Sequence, residues 1–224
     1  MLRSFLSLTF ALVLGSSLVC STAFQAGHAD VPIAATADEI QPLVAGDAAP
    51  RFMVETVDGQ VFDFNPAELD RPAMILIFRG GWCPYCNMYL SDMRHVVPRI
   101  RNMGVDVLFL SGDRPEMLYE SLEGQAKEDI EGLDYTILSD ANAQASIALG
   151  IAFRSNERTA NYVKKKGDSY RESSMERHGI LPVPAVFAVD RDGHIVFTYV
   201  NADYKVRLPA EELLEVAKEM SAAD

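Results

Sequence analysis

Residues 73–86 read Ala-Met-Ile-Leu-Ile-Phe-Arg-Gly-Gly-Trp-Cys-Pro-Tyr-Cys, an apolar run that passes through a glycine turn into a two-cysteine motif. Six apolar residues without alternation are typical of a strand that is buried on both faces of a sheet. After the turn, apolar side chains recur at the 3.6-residue spacing of a helix, at Cys86, Leu90, Met93, Val97 and Ile100. The pattern therefore predicts a buried strand, a tight turn and a helix that starts at the cysteines.

The flanking sequence predicts an α/β domain with a mixed central sheet flanked by helices. The other predicted elements are, in chain order, a hairpin at 52–64, a continuation of the first helix that Pro98 kinks, a strand at 105–110, a helix at 115–128, a strand at 135–138, a helix at 143–150, a hairpin at 186–200 and a helix from 209. Residues 152–179 are polar and break this rhythm, and we interpret them as an inserted, partly helical segment.

Residues 1–29 are predicted to form a secretory signal peptide. Arg3 precedes an apolar run that is too short for a membrane span of about 20 residues. Small residues allow cleavage after Ala23 or after Ala29, and we favour the second. The bulky valine before Cys20 argues against a lipoprotein site. We therefore expect export, to the periplasm of a Gram-negative bacterium or otherwise by secretion, with no stable membrane span after cleavage.

Residues 30–44 are predicted to be a linker, and residues 45–224 a single domain. Hydrophobic residues make up 49% of the chain, which excludes a disordered protein. With 20 basic and 32 acidic residues, the formal net charge is −12. This sign is opposite to that of a nucleic-acid-binding or anionic-membrane-binding surface, so we expect no nucleic-acid partner.

Cys83 and Cys86 are the cysteines that remain, of three in the chain, once the signal peptide is removed. The thiolate is the nucleophile of disulfide exchange, and an ordinary cysteine is mostly protonated at neutral pH. The free N–H groups and dipole of a helix N-terminus favour a thiolate at Cys83, and Arg79 adds positive charge. Cys86 lies one turn further on, from where it can attack a mixed disulfide and release the product.

A zinc half-site and a structural disulfide are the alternatives to redox chemistry. Zinc requires two further ligands, and only His178 is loosely available. A disulfide across one helical turn closes a very short loop and adds little stability. The spacing therefore favours a redox-active pair, and we expect no metal and no other cofactor.

At Gly-Gly-Trp-Cys-Pro-Tyr-Cys, residues 80–86, the sequence resembles the thioredoxin fold. Residues 46–52 resemble the opening of the alkyl hydroperoxide reductase/thiol-specific antioxidant (redoxin) family, residues 137–140 its later strand, and residues 183–193 its proline strand and hairpin. These matches follow the family's order and cover about residues 45–220. The sequence most resembles the peroxiredoxin-like proteins of that family, which implies a thioredoxin-like fold.

The resemblance also implies roles for residues around the pair. Cys83 and Cys86 would be catalytic, and Pro184 would follow a cis peptide bond that faces them. Val183 would offer its backbone to an extended substrate, beside Trp82. Three further residues are expected to set the environment of the cysteines: Arg79, Pro84 and Tyr85.

Two departures from the family patterns bear on the activity. Aligned with true peroxiredoxins, Cys86 takes the peroxidatic position, Cys83 replaces a threonine that orients peroxide, and Pro184 replaces an arginine. Aligned with thioredoxin, Ile77 replaces the buried acid that accepts the proton of the resolving thiol. The sequence therefore lacks some of the catalytic residues of true peroxiredoxins and some of those of thioredoxin.

The sequence leaves three functions open. The first hypothesis is a thiol–disulfide oxidoreductase in antioxidant or cell-envelope redox homeostasis, which uses a protein or small-molecule thiol or disulfide and an unidentified electron donor. The second is a thiol peroxidase, in which one cysteine becomes a sulfenic acid and the other condenses with it. The third is a non-enzymatic redox-gated or copper-handling protein. We interpret residues 203–207 as an exposed polar loop rather than part of the active face.

Overall fold

The computed structural model describes residues 32–122, 124–130 and 135–223, so the predicted signal peptide, its two cleavage positions and Cys20 lie outside the described residues. The strands of this part are β1 (Phe52–Glu55), β2 (Val61–Phe64), β3 (Ala73–Phe78), β4 (Asp106–Ser111), β5 (Thr136–Ser139), β6 (Ala152–Arg154), β7 (Ile180–Pro182), β8 (Ala185–Val189) and β9 (Ile195–Val200). Its α-helices are α1 (Pro84–Met93), α2 (Val97–Asn102), α3 (Gln125–Ile130), α4 (Gln144–Ala148), α5 (Glu157–Lys164), α6 (Ser174–His178) and α7 (Ala210–Ala223).

Seven strands form one mixed sheet in the order β2-β1-β5-β4-β3-β8-β9. Strand β3 is an inner strand, with β4 parallel on one side and β8 antiparallel on the other. Strands β6 and β7 form a separate antiparallel pair. The predicted α/β class, the thioredoxin-like mixed sheet and both hairpins are confirmed.

Every residue of β3 is buried, as its continuous apolar sequence predicts. Because side chains of a strand alternate between faces, Met74, Leu76 and Phe78 join one core, whereas Ile75 and Ile77 join the core on the opposite face. Helices α1 and α7 cover the first core, and α4 contributes to the second. The strand is therefore fixed from both sides, and its carboxyl end is a rigid base for the cysteine turn.

The helix that we predicted to run on past a kink at Pro98 is two helices. Helix α1 ends at Met93, and α2 begins at Val97 with Pro98 in its first turn. A first-turn proline loses no hydrogen bond, because the N–H at that position has no partner within the helix. The break therefore precedes the proline.

The helix predicted at 115–128 was also wrong. A 3-10 turn covers only Pro115–Met117, and α3 does not begin until Gln125. Between them, Ser121 turns inward to donate a hydrogen bond to Asp113, and Gly124 has a φ of +49°. Both features interrupt a regular helix.

The peptide bond before Pro184 is trans, since the described residues contain no cis peptide bond, so the predicted cis bond is corrected. The backbone at this point runs on from β7 into β8, and Val183 N–H donates to the carbonyl of Ile151. Part of the predicted linker lies against the domain, where Ala34 forms a bridge with Phe153. In the described part of the chain, no helix combines the length and the apolar character needed to cross a membrane.

Candidate active site

The turn between β3 and α1 requires both of its glycines. Gly80 has a φ of +149°, and a Cβ there would lie 2.3 Å from Nε1 of Trp82. A Cβ on Gly81 would lie 2.1 Å from Oγ of Ser121. The Gly81 N–H donates to Asp113 at 2.8 Å, and its carbonyl accepts from the Asn87 amide at 2.7 Å. The turn is therefore fixed by the end of β4 and by α1 itself.

Cys83 is the N-cap residue of α1, and Cys86 lies in its first turn. The carbonyl of Cys83 accepts the Cys86 N–H at 2.9 Å, which starts the helix. Pro84 occupies the first turn, where its missing N–H costs nothing. Both sulfurs are free thiols and both residues are buried. The two cysteines are thus placed one turn apart, as the spacing predicts.

The two thiols differ in acidity. A hydrogen bond to Cys86, followed by burial, raises the pKa of Cys83. Burial alone would raise the pKa of Cys86, but the hydrogen bond from Cys83, the charge of Arg207 and the backbone N–H of Arg79 together lower it. The negative charge of the resting pair is therefore centred on Cys86, although helix position alone predicts a thiolate at Cys83.

Arg207 is a site residue that sequence reasoning missed, because we interpreted its loop as an exposed polar segment. Its Nη2 lies 3.7 Å from Sγ of Cys86, and its Nη1 donates to the carbonyls of Tyr204 and Val206. The loop carbonyls thus hold the guanidinium in place against the sulfur. No signal in the sequence links a residue after β9 to the cysteine helix.

Asp113 is a second residue that sequence reasoning missed. It is fully buried and accepts hydrogen bonds from Gly81, Ser111 and Ser121. Burial, only partly offset by these hydrogen bonds, raises its pKa to about 6. Its place directly after β4 is a usable signal, because the carboxyl ends of adjacent parallel strands meet at one edge of the sheet.

A cleft of about 780 Å³ opens in front of the pair. Cys83 lines it, whereas Cys86 is not among the lining residues. The structure places every other predicted site residue in its wall: Arg79, Trp82, Pro84, Tyr85, Val183 and Pro184. The guanidinium of Arg79 lies 5.3 Å from the ring centroid of Trp82 and 4.5 Å from that of Tyr204. The predicted residues therefore converge on one surface.

The segment that we predicted as an insertion and the loop after β9 also line the cleft. The inserted segment contributes Phe153, Arg154, Arg158 and Tyr162, among others. The loop contributes Tyr204 and Lys205, so its interpretation as remote from the active face was wrong. Tyr85 and Tyr204 meet edge to face with centroids 5.7 Å apart.

The arrangement suits two-electron thiol chemistry. One thiol faces a cleft, the other lies behind it, and a fixed cation stabilises negative charge on the pair. No group of three or more His, Cys, Asp or Glu side chains that could hold a metal ion occurs within residues 32–122, 124–130 and 135–223.

Comparison with known proteins identifies relatives of two kinds. A family model described as the AhpC/TSA family matches residues 45–198, which is more than half of the chain. Peroxiredoxin Bcp of Escherichia coli (strain K12) is 29% identical over 112 residues, which cover 50% of this chain and 67% of that protein. Thiol-disulfide oxidoreductase ResA of Halalkalibacterium halodurans is 25% identical over 174 residues, which cover 78% of this chain and 77% of that protein.

Solved structures support the fold. Peroxidoxin BcpB from Mycobacterium tuberculosis superposes with a TM-score of 0.56 at 15% identity, and the match covers 81% of this chain and 97% of that one. A peroxiredoxin-like protein from Aquifex aeolicus gives a TM-score of 0.52 at 20% identity, with 80% and 89% covered. The relatives include both a peroxiredoxin and a thiol–disulfide oxidoreductase, so they do not choose between these two activities.

Proposed function

Because the chain belongs to the AhpC/TSA family, we propose that it is a thiol–disulfide oxidoreductase whose Cys83–Cys86 pair cycles between dithiol and disulfide. One observation carries the choice of activity: Cys83 lines the cleft, whereas Cys86 lies behind it. A disulfide that enters the cleft therefore meets Cys83 first. A volume of about 780 Å³ also suits a molecule far larger than hydrogen peroxide.

The reaction begins with proton transfer inside the pair. The Cys86 thiolate accepts the proton of Cys83, and the helix N-terminus stabilises the new thiolate. Sγ of Cys83 then bonds to one sulfur of the substrate, the substrate S–S bond breaks, and the other sulfur leaves as a thiolate.

The second half of the reaction releases the product. Cys86 gives its proton to the departing thiolate and attacks Sγ of Cys83, so the mixed disulfide breaks and the second thiolate leaves. The pair has lost two electrons and the substrate has gained them. The same steps in reverse oxidise a dithiol substrate.

Trapping the mixed disulfide tests this proposal. Reduced Cys86→Ser protein, mixed with the neutral disulfide bis(2-hydroxyethyl) disulfide, should accumulate an adduct on Cys83, since no resolving thiol remains. The matched Cys83→Ser variant should form such an adduct at least about tenfold more slowly, because its remaining thiol lies behind the cleft wall. Mass spectrometry detects both adducts. Adducts that form equally fast on the two variants would contradict the assignment of Cys83 as the attacking cysteine.

Thiol peroxidase activity is the second candidate, and the contact between Arg207 and Cys86 favours it. This cation stabilises a thiolate at the position that aligns with the peroxidatic cysteine. In such a reaction the Cys86 thiolate attacks one peroxide oxygen, the O–O bond breaks, and hydroxide leaves. Cys83 then condenses with the sulfenic acid, which releases water and forms the disulfide.

The two candidates require opposite cysteines. With hydrogen peroxide, a peroxidase predicts a dimedone-reactive sulfenic acid on Cys86 in the Cys83→Ser variant. The exchange mechanism predicts that the disulfide adduct forms faster on Cys83 in the Cys86→Ser variant than on Cys86 in the Cys83→Ser variant. In the unmodified protein, the fluorescence of Trp82, the single tryptophan, measures how fast hydrogen peroxide and bis(2-hydroxyethyl) disulfide each oxidise the pair. Faster oxidation by peroxide than by the disulfide would make the second candidate the function.

We also propose that the protein acts after export. The signal-like residues 1–29 support this, and an oxidising compartment would allow the disulfide form of the pair to persist. Fractionation of cells that express the full chain, with N-terminal sequencing, tests export and locates the cleavage. A full-length protein in the cytosolic fraction would contradict it.

A further inference from the structure

The charge of the cleft is opposite to that of the rest of the chain. Acidic residues outnumber basic ones by 32 to 20, yet among the described residues the cleft is lined by four cations and by no Asp or Glu. The cations are Arg79, Arg154, Arg158 and Lys205. Acidic residues do occur beside lining residues in the sequence, at Asp38, Glu157 and Asp203, but they are not part of the lining.

In the part of the chain that the structure describes, the cations of the cleft have no acidic partner, whereas several cations on other surfaces have one. On other surfaces, Arg51, Arg171 and Lys218 form salt bridges with Asp63, Asp168 and Glu215. Within the described residues, none of the four cleft cations forms a salt bridge. Uncompensated cations that share a concave, partly apolar surface attract anions and raise their local concentration.

Three separate segments supply the outer cations. Arg154 ends β6 and donates to the carbonyl of His178 at 2.9 Å, Arg158 lies in the first turn of α5, and Lys205 follows β9 with its Nζ 5.9 Å from the Tyr204 ring centroid. Arg79 is buried next to the cysteines, and its charge serves the thiol pair. The outer three thus remain available for a ligand.

Resting on the proposed function, we propose that the substrate is a low-molecular-mass disulfide that carries carboxylate groups. Its sulfurs would reach Cys83, and its carboxylates would pair with Arg154, Arg158 and Lys205. Aromatic side chains that line the same cleft, Trp82 and Tyr162 among them, would cover its apolar part. A concave site with aromatic walls and a few charged groups of one sign is typical of small-ligand recognition.

Three small disulfides of similar size and different charge test the proposal. They are anionic 3,3′-dithiodipropionate, neutral bis(2-hydroxyethyl) disulfide and cationic cystamine. Each is mixed with the reduced protein, and Trp82 fluorescence gives the rate of oxidation. Dithiothreitol reacts with the same three compounds as a reference, because a free thiolate reacts more slowly with an anionic disulfide. The measured quantity is the anionic-to-neutral rate ratio of the protein divided by that of dithiothreitol.

We expect this normalised ratio to be about tenfold or more, and to fall towards one as the ionic strength rises from about 0.02 to about 0.5 M. The triple variant Arg154→Gln, Arg158→Gln, Lys205→Gln should lose the preference, because its rate should fall more with the anionic disulfide than with the neutral one. The control variant Arg51→Gln, Arg171→Gln, Lys218→Gln removes the same total charge from residues outside the cleft and should keep the preference. A ratio near one, or an equal loss in both triple variants, would overturn the proposal.

The outcomes also separate this proposal from the proposed function. Oxidation by all three disulfides without a charge preference would overturn only the anionic substrate. Failure of all three to oxidise the pair would overturn thiol–disulfide exchange itself. A preference that appears only for a disulfide within an acidic peptide, and not for dithiodipropionate, would show that the substrate is an acidic protein segment rather than a small molecule.

Discussion

The guanidinium of Arg207 lies 3.7 Å from the sulfur of Cys86, although 121 residues separate the two in the chain. The loop between β9 and α7 thereby contacts the cysteine helix and places a cation beside the thiol pair. A cation within about 4–6 Å favours the charged form of an acid. The acidity of the pair therefore depends on a loop outside the two-cysteine motif.

Replacing this arginine should make the pair less acidic. In Arg207→Gln, the loss of the positive charge should raise the pKa of the Cys86 thiol towards the ordinary cysteine range and slow disulfide reduction about tenfold near neutral pH. Titration of the thiolate absorbance measures the pKa. Arg207→Lys, which keeps the charge, is the control and should recover most of the acidity. An unchanged titration in Arg207→Gln would show that other groups set the acidity.

The buried carboxyl of Asp113 should make stability depend on pH. Burial raises its pKa to about 6 in the folded protein, whereas an aspartate in the unfolded chain titrates near 3.9. A group whose pKa is raised on folding contributes stability that is fully present below the unfolded pKa. This contribution is lost as the pH rises through the folded pKa. The free energy of unfolding should therefore fall between about pH 4 and pH 6.5.

Asp113→Asn tests this link because an amide oxygen can still accept the hydrogen bond from Gly81. The variant should lose part of the fall in unfolding free energy, which urea unfolding at several pH values measures. Burial also raises the pKa of Asp140 to about 6, so some pH dependence should remain. An identical pH profile in variant and parent would mean that Asp113 does not titrate in this range.

Strand β3 and the cysteine turn could be predicted from sequence because local patterns specify them. An unbroken apolar run of strand length is typical of a strand that is buried on both faces, and a helix start next to Cys83 follows from Pro84 and the spacing of apolar residues. The paired hairpins follow from their glycine turns in the same way. In each case the residues that determine the structure are close together in the chain.

The rest of the site depends on contacts between distant segments, which no local pattern reveals. Arg207 and Lys205 occur in a polar loop that looks like any exposed loop until its position over α1 is known. Arg158 belongs to a helix whose charged side chains fit a solvent-exposed face as well as they fit a binding surface. Asp113 is a partial exception, because its place after β4 puts it at the edge where the carboxyl ends of parallel strands meet. Its burial and its hydrogen bond to the cysteine turn still depend on contacts between distant segments. Tertiary packing, rather than composition, brings these residues to the candidate site.

The glycine at position 81 should tolerate no side chain. In Gly81→Ala, the new Cβ would lie 2.1 Å from Oγ and 2.6 Å from the backbone carbon of Ser121, and the backbone cannot move aside as a side chain can. We expect destabilisation by about 1–3 kcal/mol and slower disulfide reduction, because the turn that positions Cys83 must shift. Denaturant unfolding and the exchange rate measure the two effects.

Gly59→Ala is the control for that substitution. Its Cβ would meet no atom within 4 Å, and only the φ of +70° opposes it, so it should cost about 1 kcal/mol and leave the exchange rate unchanged. Equal losses of stability and of rate in both variants would show that the contact with Ser121 does not matter.

The contact between Arg207 and Cys86 should also set the reduction potential of the pair. Arg207 stabilises the thiolate, which exists only in the reduced state, so it makes the disulfide easier to reduce and raises the potential. Arg207→Gln should lower the potential by up to about 30 mV for each tenfold loss of thiolate stability. Equilibration with glutathione redox buffers, followed by Trp82 fluorescence, measures it. The Arg51→Gln variant removes an equal charge from a residue outside the cleft lining and should leave the potential unchanged. A potential that rises in Arg207→Gln would mean that the arginine stabilises the disulfide more than the thiolate.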